Sequence, residues 1–322
     1  MPVVSNSTYT APLLFRNAHV QTVYPSLFRR VTGVEYTRRR ITTPDDDFID
    51  IDIASVGARK AGIILHGLEG NSGRSYVLGM ARVLTRNGWD AIAMNFRGCS
   101  GESNKLPRFY HSGDTDDLST VLTNVEEIDA YEELALIGFS LGGNLILKYL
   151  GERGTNVHET VKRSAVFSVP CDLCAGARKI GSSGNRPYMS RFLRMLREKI
   201  RAKMAIMPGR INDNGYESIK DFEDFDNRYT APLHGFKDAE DYWLQSSCKQ
   251  YIPEISVPTL LVNAQDDPFL TPECYPLEEA ARNENFFFEI TRHGGHVGFV
   301  AFNASRQYWS ELRTAAFLNG NS

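Results

Sequence analysis

The chain has 322 residues, a formal net charge of -3 and 42% hydrophobic residues, enough for one large core with an inserted subdomain. This near-neutral balance gives no electrostatic reason to expect nucleic acid as a partner. Cysteines scattered at 99, 171, 174, 248 and 274 fit a reducing compartment rather than a disulfide scaffold. No apolar stretch reaches the roughly 20 residues that span a bilayer. Met1–Thr10 lacks the basic start and apolar run of a secretory signal, so the expected location is the cytoplasm.

Residues 1–30 read as an N-terminal arm. Within it, Asn17 to Arg30 carries His19, Tyr24, Leu27 and Phe28 and predicts a short helix or a lid-like turn. Strands are expected at 34–42 and 47–55. Ile49, Ile51 and Ile53 alternate with Asp50 and Asp52, the pattern of a half-buried strand. The run Asp45-Asp46-Asp47 between them reads as a solvated turn. Ile63-Ile64-Leu65 is a short buried strand that ends at His66-Gly67-Leu68-Glu69-Gly70, where Glu69 is in reach of Arg74 for a salt bridge. A helix over 74–86 is stopped by Gly88. Ala91 to Asn95 gives the next strand. Leu118, Val121, Leu122, Val125 and Ile128 recur at helical spacing over 114–130.

Leu134 to Ile137 form an apolar strand, Gly138-Phe139-Ser140-Leu141-Gly142 a sharp turn, and Leu141 onward a helix. Ser164 to Val169 is a further strand. Strand and helix thus alternate through 61–150, which predicts a mainly parallel sheet with right-handed connections and helices on both faces. Over 171–254 the strand signal fades. Ser190–Met207 predicts a helix with Phe192, Leu193, Leu196 and Ile200 on one face and Arg191, Arg194, Arg197, Arg201 and Lys203 making the other strongly basic. Short helices fit 216–225 and 238–247. We read 171–254 as a mainly helical cap inserted into a single α/β domain spanning 1–322. The basic face is either solvated or a peripheral contact with an anionic or lipid surface. Strand character returns at 258–263 and 286–290, and a helix over 305–317 closes the chain.

The late strands end in polar residues. After Val262 come Asn263-Ala264-Gln265-Asp266-Asp267-Pro268-Phe269; after Ile290 come Thr291-Arg292-His293-Gly294-Gly295-His296-Val297-Gly298. The order is a serine, then an aspartate at 266 or 267, then a histidine at 293 or 296, which suits a nucleophile, an orienting acid and a general base. A serine hydroxyl needs a neutral imidazole to take its proton, and a buried carboxylate holds that imidazole in the useful tautomer. Asp267 is favoured because Pro268 stiffens its loop, with Asp266 capping or orienting. His296 is favoured because the glycines around it allow close approach, with His293 stabilising the loop. A metal site on both pairs would leave the serine turn without a reason. The backbone N–H groups of Leu68 and Leu141 are the expected oxyanion donors, each worth ~3–4 kcal/mol in the transition state. Cys171-x-x-Cys174 lacks a second pair and reads as structural; Cys99 is poorly placed as a nucleophile; His111 and Asp116 form a short, common His-x4-Asp spacing. Phe139, Phe269 and Phe299 predict an apolar acyl pocket.

Taken together, Asn17-Ala18-His19-Val20-Gln21-Thr22, His66-Gly67-Leu68-Glu69-Gly70, Asn95-Phe96-Arg97-Gly98-Cys99-Ser100-Gly101, Tyr110-His111-Ser112-Gly113, Gly138–Asn144, Ala264–Phe269 and His293–Phe299 span nearly the whole chain. In these stretches the chain closely resembles the YheT-like esterases of the α/β-hydrolase family. That wider family includes lipid-acting α/β-hydrolase-domain proteins and yeast ethyl-ester-forming acyltransferases. The resemblance implies an α/β-hydrolase fold, with Ser140 as nucleophile, Asp267 as acid and His296 as base. It implies cleavage of carboxylic esters, short- to medium-chain or lipid-like, with no cofactor and no metal. The expected partner is a small ester with an apolar acyl chain, and the expected state a monomer or weak dimer. Transfer of the acyl group to an alcohol is the alternative, and a non-catalytic scaffold the second. Asn17, His19 and Gln21 match a segment of these relatives whose physical role is open; pinning the arm near the pocket is one reading.

Overall fold

The computed structural model describes residues 3, 4, 7–129 and 131–320. Met1, Pro2, Ser5 and Asn6 of the expected arm, and Ala130 at the end of the expected third helix, lie outside the described residues. In chain order the elements are β1 (Val3–Val4), α1 (Ala18–Phe28), β2 (Thr37–Thr42), β3 (Phe48–Ala54), β4 (Lys60–Leu65), α2 (Ser75–Arg86), β5 (Asp90–Asn95), α3 (Thr115–Asp129), β6 (Glu133–Phe139), α4 (Leu141–Arg153) and β7 (Val161–Phe167). An insertion follows with α5 (Leu173–Gly181), α6 (Arg186–Ile206), α7 (Phe222–Phe225), α8 (Ala231–His234) and α9 (Ala239–Ser246). Then come β8 (Thr259–Ala264), α10 (Leu277–Ala281), β9 (Phe286–Thr291) and α11 (Trp309–Leu318).

The strands form one sheet in the order β1-β9-β8-β7-β6-β4-β5-β3-β2. The β2–β3 and β3–β5 pairings are antiparallel and the other pairings are parallel. β6 is central and apolar on both faces because both faces are covered. Leu134 and Leu136 join one core cluster, with Leu145 and Phe288; Ala135 and Ile137 join the other, with Leu84 and Phe317. A third cluster, including Phe109, Leu196, Phe225 and Trp243, holds the insertion together and seats it on the carboxyl ends of the strands.

Several boundaries differ from the sequence reading, each for a local reason. β7 starts at Val161, three residues before the expected strand, and ends at Phe167, because Ser168 turns to a φ of 53°. α6 begins at Arg186, with Pro187 in its first turn, a position where a missing N–H costs nothing. α5 was not expected; Asp172 caps it by accepting the Ala175 N–H. The span 216–225 splits into a 3-10 turn and α7. The last helix starts at Trp309 rather than Ser305. Ile128 is 58% exposed, so the apolar stripe of α3 ends at Val125.

The acidic residues of the first hairpin are the largest correction. β3 is buried on both faces, so Asp50 and Asp52 are inside. Arg40 and Arg38 on β2 neutralise them at 2.8 and 2.7 Å. Asp47 is fully buried too and accepts the Lys105 and Leu106 N–H groups, while Asp45 pairs with buried Arg97. These carboxylates are held low by hydrogen bonds and arginines against the opposing cost of burial. Periodicity alone cannot see a charge buried with its partner.

Candidate active site

Ser140 sits between β6 and α4 with φ 53° and ψ -120°, a region L-residues rarely adopt. The turn is forced by close packing. A Cβ on Gly142 would lie 2.6 Å from the His66 carbonyl oxygen, and one on Gly138 2.7 Å from Gly143 Cα. The Ser140 N–H donates to the Phe167 carbonyl on β7 at 2.9 Å, which ties the turn to the neighbouring strand.

His296 Nε2 lies 2.9 Å from Ser140 Oγ, and its Nδ1 lies 2.9 Å from Asp267 Oδ2. With the Nδ1 proton donated to the carboxylate, Nε2 is left to accept from the serine hydroxyl. The Asp267 side chain is fully buried; that burial raises its pKa, while His296 and the Phe269 N–H act the other way. Asp266 and His293 form a separate pair at 3.2 Å, and Asp266 also accepts the Gly295 N–H at 2.9 Å. The two aspartates and two histidines thus sort into one pair on Ser140 and one that braces the histidine loop. Among the described residues, no group of three or more His, Cys, Asp or Glu is arranged to hold a metal ion.

The N-terminal arm completes this loop, through residues whose role was open in the sequence. Asn17 caps α1 by accepting the His19 and Val20 N–H groups. Thr22 Oγ1, one turn on, accepts the His296 N–H at 2.9 Å. Buried Gln21 donates to the Tyr9 hydroxyl and accepts the Val300 N–H. A Cβ on Gly295 would meet the Ala18 carbonyl at 2.6 Å. His19 lies against Tyr188 of α6, with Nδ1 3.0 Å from its hydroxyl. Of this segment the sequence reading singled out Asn17, His19 and Gln21; the contact of Thr22 with the His296 backbone comes from the structure.

On the other side, His66 is fully buried and pushed down to about 3, hence neutral. Its Nε2 accepts the Phe96 N–H, so Nδ1–H donates to the Gly67 carbonyl at 2.7 Å. Tyr76 Oη accepts the Gly67 N–H. This fixes the loop carrying Leu68, which borders the same cavity as Leu141, Ser140 and His296. Leu141 is the first residue of α4, so its N–H has no acceptor within the helix. Glu69 stands at φ 53° and its carboxylate does not meet Arg74, contrary to expectation. Arg74 donates instead to the Glu69 carbonyl, and the carboxylate accepts from Lys199 of α6 at 2.7 Å and from Tyr110 at 2.8 Å. Lys199 reaches Cys99 Sγ as well, whose thiol burial pushes up to about 11.

The cavity above Ser140 is about 680 Å3. Its roof comes from the insertion, with Ala177, Phe192, Met195 and Trp243 among the lining residues, and Phe269 lines its floor. Phe139 and Phe299 do not reach it; both lie in the core. Asp226, also on the wall, is buried, accepts from Trp243 Nε1, and is pushed up to about 7 by desolvation. The expected basic stripe of α6 breaks up. Lys203 is buried and donates to the Asn104 carbonyl, and Arg197 and Arg201 bind Asp213. His111 packs edge-on to His234 at 4.5 Å, while Asp116 is exposed on α3. Cys171 is buried in the core and Cys174 lies on α5; all five cysteines are free.

The family model for the alpha/beta hydrolase fold matches residues 63–301. The chain is 34% identical over 311 residues to YheT of Escherichia coli (strain K12), covering 94% of this chain and 91% of that one. It is 28% identical over 309 residues to Phospholipase ABHD3 of Mus musculus, covering 93% and 74%. A Pyrococcus furiosus esterase structure superposes with a TM-score of 0.61 over 91% of this chain and 96% of that one, at 19% identity, a likeness of fold.

Proposed function

This chain belongs to the YheT-like esterases of the α/β-hydrolase fold, and on that premise we propose that it cleaves carboxylic esters through an acyl-serine intermediate. The observation that carries the reading is the unbroken hydrogen-bonded chain from Ser140 Oγ through both nitrogens of His296 to Asp267, mounted on a strained turn. Ser140 attacks the ester carbonyl while His296 takes its proton. The developing oxyanion faces the N–H groups of Leu68 and Leu141. His296 then protonates the departing alcohol, and a water it activates frees the acid. Asp267 keeps the imidazole in register and stabilises its charged form.

The apolar roof supports an acyl chain in the cavity, and the phospholipase among the relatives supports a lipid-like ester. The free cysteines support a reducing, cytoplasmic location. The test is burst kinetics with a chromogenic short-chain ester: Ser140→Ala abolishes the acylation burst. A variant that keeps wild-type turnover contradicts the mechanism.

A further inference from the structure

The arm does more than brace His296. Leu13 and Leu14 are 74% and 82% exposed, Leu27 and Phe28 61% and 66%, and Phe302 63%. They are far apart in sequence but form one surface. Phe302 packs on Phe15 at 5.3 Å between ring centroids, Phe15 on Tyr24 at 4.8 Å, and Tyr24 on Phe28 at 5.3 Å. Leu13 and Leu14 belong to the same short turn as Phe15. Scattered exposed leucines need no explanation, but a continuous apolar rim does.

Two further observations say what covers it. First, the rim borders the cavity: Val23, Ser26 and Arg30 of this segment are exposed and also line it, so the cavity reaches solvent along α1. Second, the charge there has one sign. Residues 1–34 contain Arg16, Arg29 and Arg30 and no Asp or Glu, in a chain whose net charge is -3; residues 293–310, which carry Phe302 and Arg306, also lack an acid. Arg29 is neutralised by Glu311, whereas Arg16, Arg30 and Arg306 are exposed. An apolar rim set among arginines matches the boundary of an anionic lipid layer, where apolar side chains enter the acyl region and cations meet the headgroups. A second copy of the chain would bring like charges together across the same face.

We propose that Leu13, Leu14, Leu27, Phe28 and Phe302, with Arg16 and Arg30, form an interfacial docking surface that seats the cavity mouth on an anionic lipid layer. It rests on the ester-hydrolase reading only for its purpose, delivery of a lipid-borne ester, and its binding test needs no catalysis. The surface is separate from the basic face of α6, where Arg197 and Arg201 pair with Asp213 and Lys203 is buried.

The experiment is co-sedimentation of the full chain, as Ser140→Ala, with vesicles of phosphatidylcholine alone or mixed with phosphatidylglycerol. Binding is expected to the mixed vesicles, with partition roughly tenfold above phosphatidylcholine alone and falling with salt. The triple variant Leu14→Asp, Phe28→Asp, Phe302→Asp, at positions already exposed, is expected to lose it. On a wild-type Ser140 background, that variant should retain turnover of a dissolved short-chain ester and lose turnover of a vesicle-borne ester at least tenfold. Equal sedimentation with and without anionic lipid overturns the proposal, as does a wild-type dimer that the triple variant converts to monomer. Loss of dissolved-ester turnover in the unmodified chain would instead strike the ester-hydrolase reading and leave the binding result standing.

Discussion

The carboxyl rim of the sheet and the inserted roof face each other across one cavity, and they are built by different rules. The rim is constrained by backbone. Ser140, Glu69 and Val297 all stand at positive φ, and the glycines between strands and helices are there because a methyl group would strike a carbonyl. The roof is constrained by side chains: an aromatic and aliphatic cluster, a buried carboxylic acid, and the Lys199–Glu69 ion pair that ties it to the rim. A rim of this kind tolerates almost no change, because the reaction needs atoms held within a fraction of an ångström. A roof of this kind can vary in shape, and with it the choice of ester.

The largest expected effects lie in the rim. His296→Ala is expected to lower kcat by about 10^4-fold or more, and Asp267→Asn by about 10^4-fold with the fold intact, by analogy with other triads. Steady-state rates alongside circular dichroism check both. Matching glycine substitutions then compare the two regions directly. Gly142→Ala, where a Cβ meets two backbone carbonyls, should cost about 3 kcal/mol or more. Gly184→Ala in the roof, with nothing within 4 Å, should change stability by less than about 0.5 kcal/mol. Denaturant midpoints decide; equal costs would erase the distinction.

Smaller effects test the join. Lys199→Met leaves Glu69 buried without its cation beside Leu68, and should reduce kcat about tenfold while KM for a short ester changes little. Lys199→Arg should recover most of the loss. A pH dependence tests the roof by itself. Asp226 titrates at about 7 in the folded state against 3.8 unfolded, so the native state holds a proton the unfolded chain has lost. Its contribution is therefore favourable below 3.8 and disappears as pH rises through 7, by up to about 4 kcal/mol. Asp226→Asn should flatten the decline in stability between those limits, measured by thermal melts across pH.

The same contrast explains what was legible. The rim announces itself in sequence because backbone constraints leave glycines, and the order Ser140, Asp267, His296 follows from strands that end on one face. Choosing Asp267 over Asp266 and His296 over His293 rested on one proline and three glycines; in the structure Asp267 lies against His296 and Asp266 against His293. The roof was harder. Its helices have weak, interrupted patterns, and α5 carries Gly176 within it and ends at Gly181. Lys203, Asp47, Asp50 and Asp52 read as solvated because a buried charge is stable only with a partner distant in sequence. Two-residue β1 is too short for any periodicity, and Gln21 makes sense only once Val300 and Tyr9 stand beside it.

The central claim is that Ser140 is an activated nucleophile, and covalent labelling reads it most directly. Treat the folded chain with a fluorophosphonate, digest it, and locate the adduct by peptide mass spectrometry. The account predicts one adduct, on Ser140, formed rapidly in the wild type and suppressed in His296→Ala. A folded wild type that stays unlabelled, or an adduct on any other residue, contradicts it.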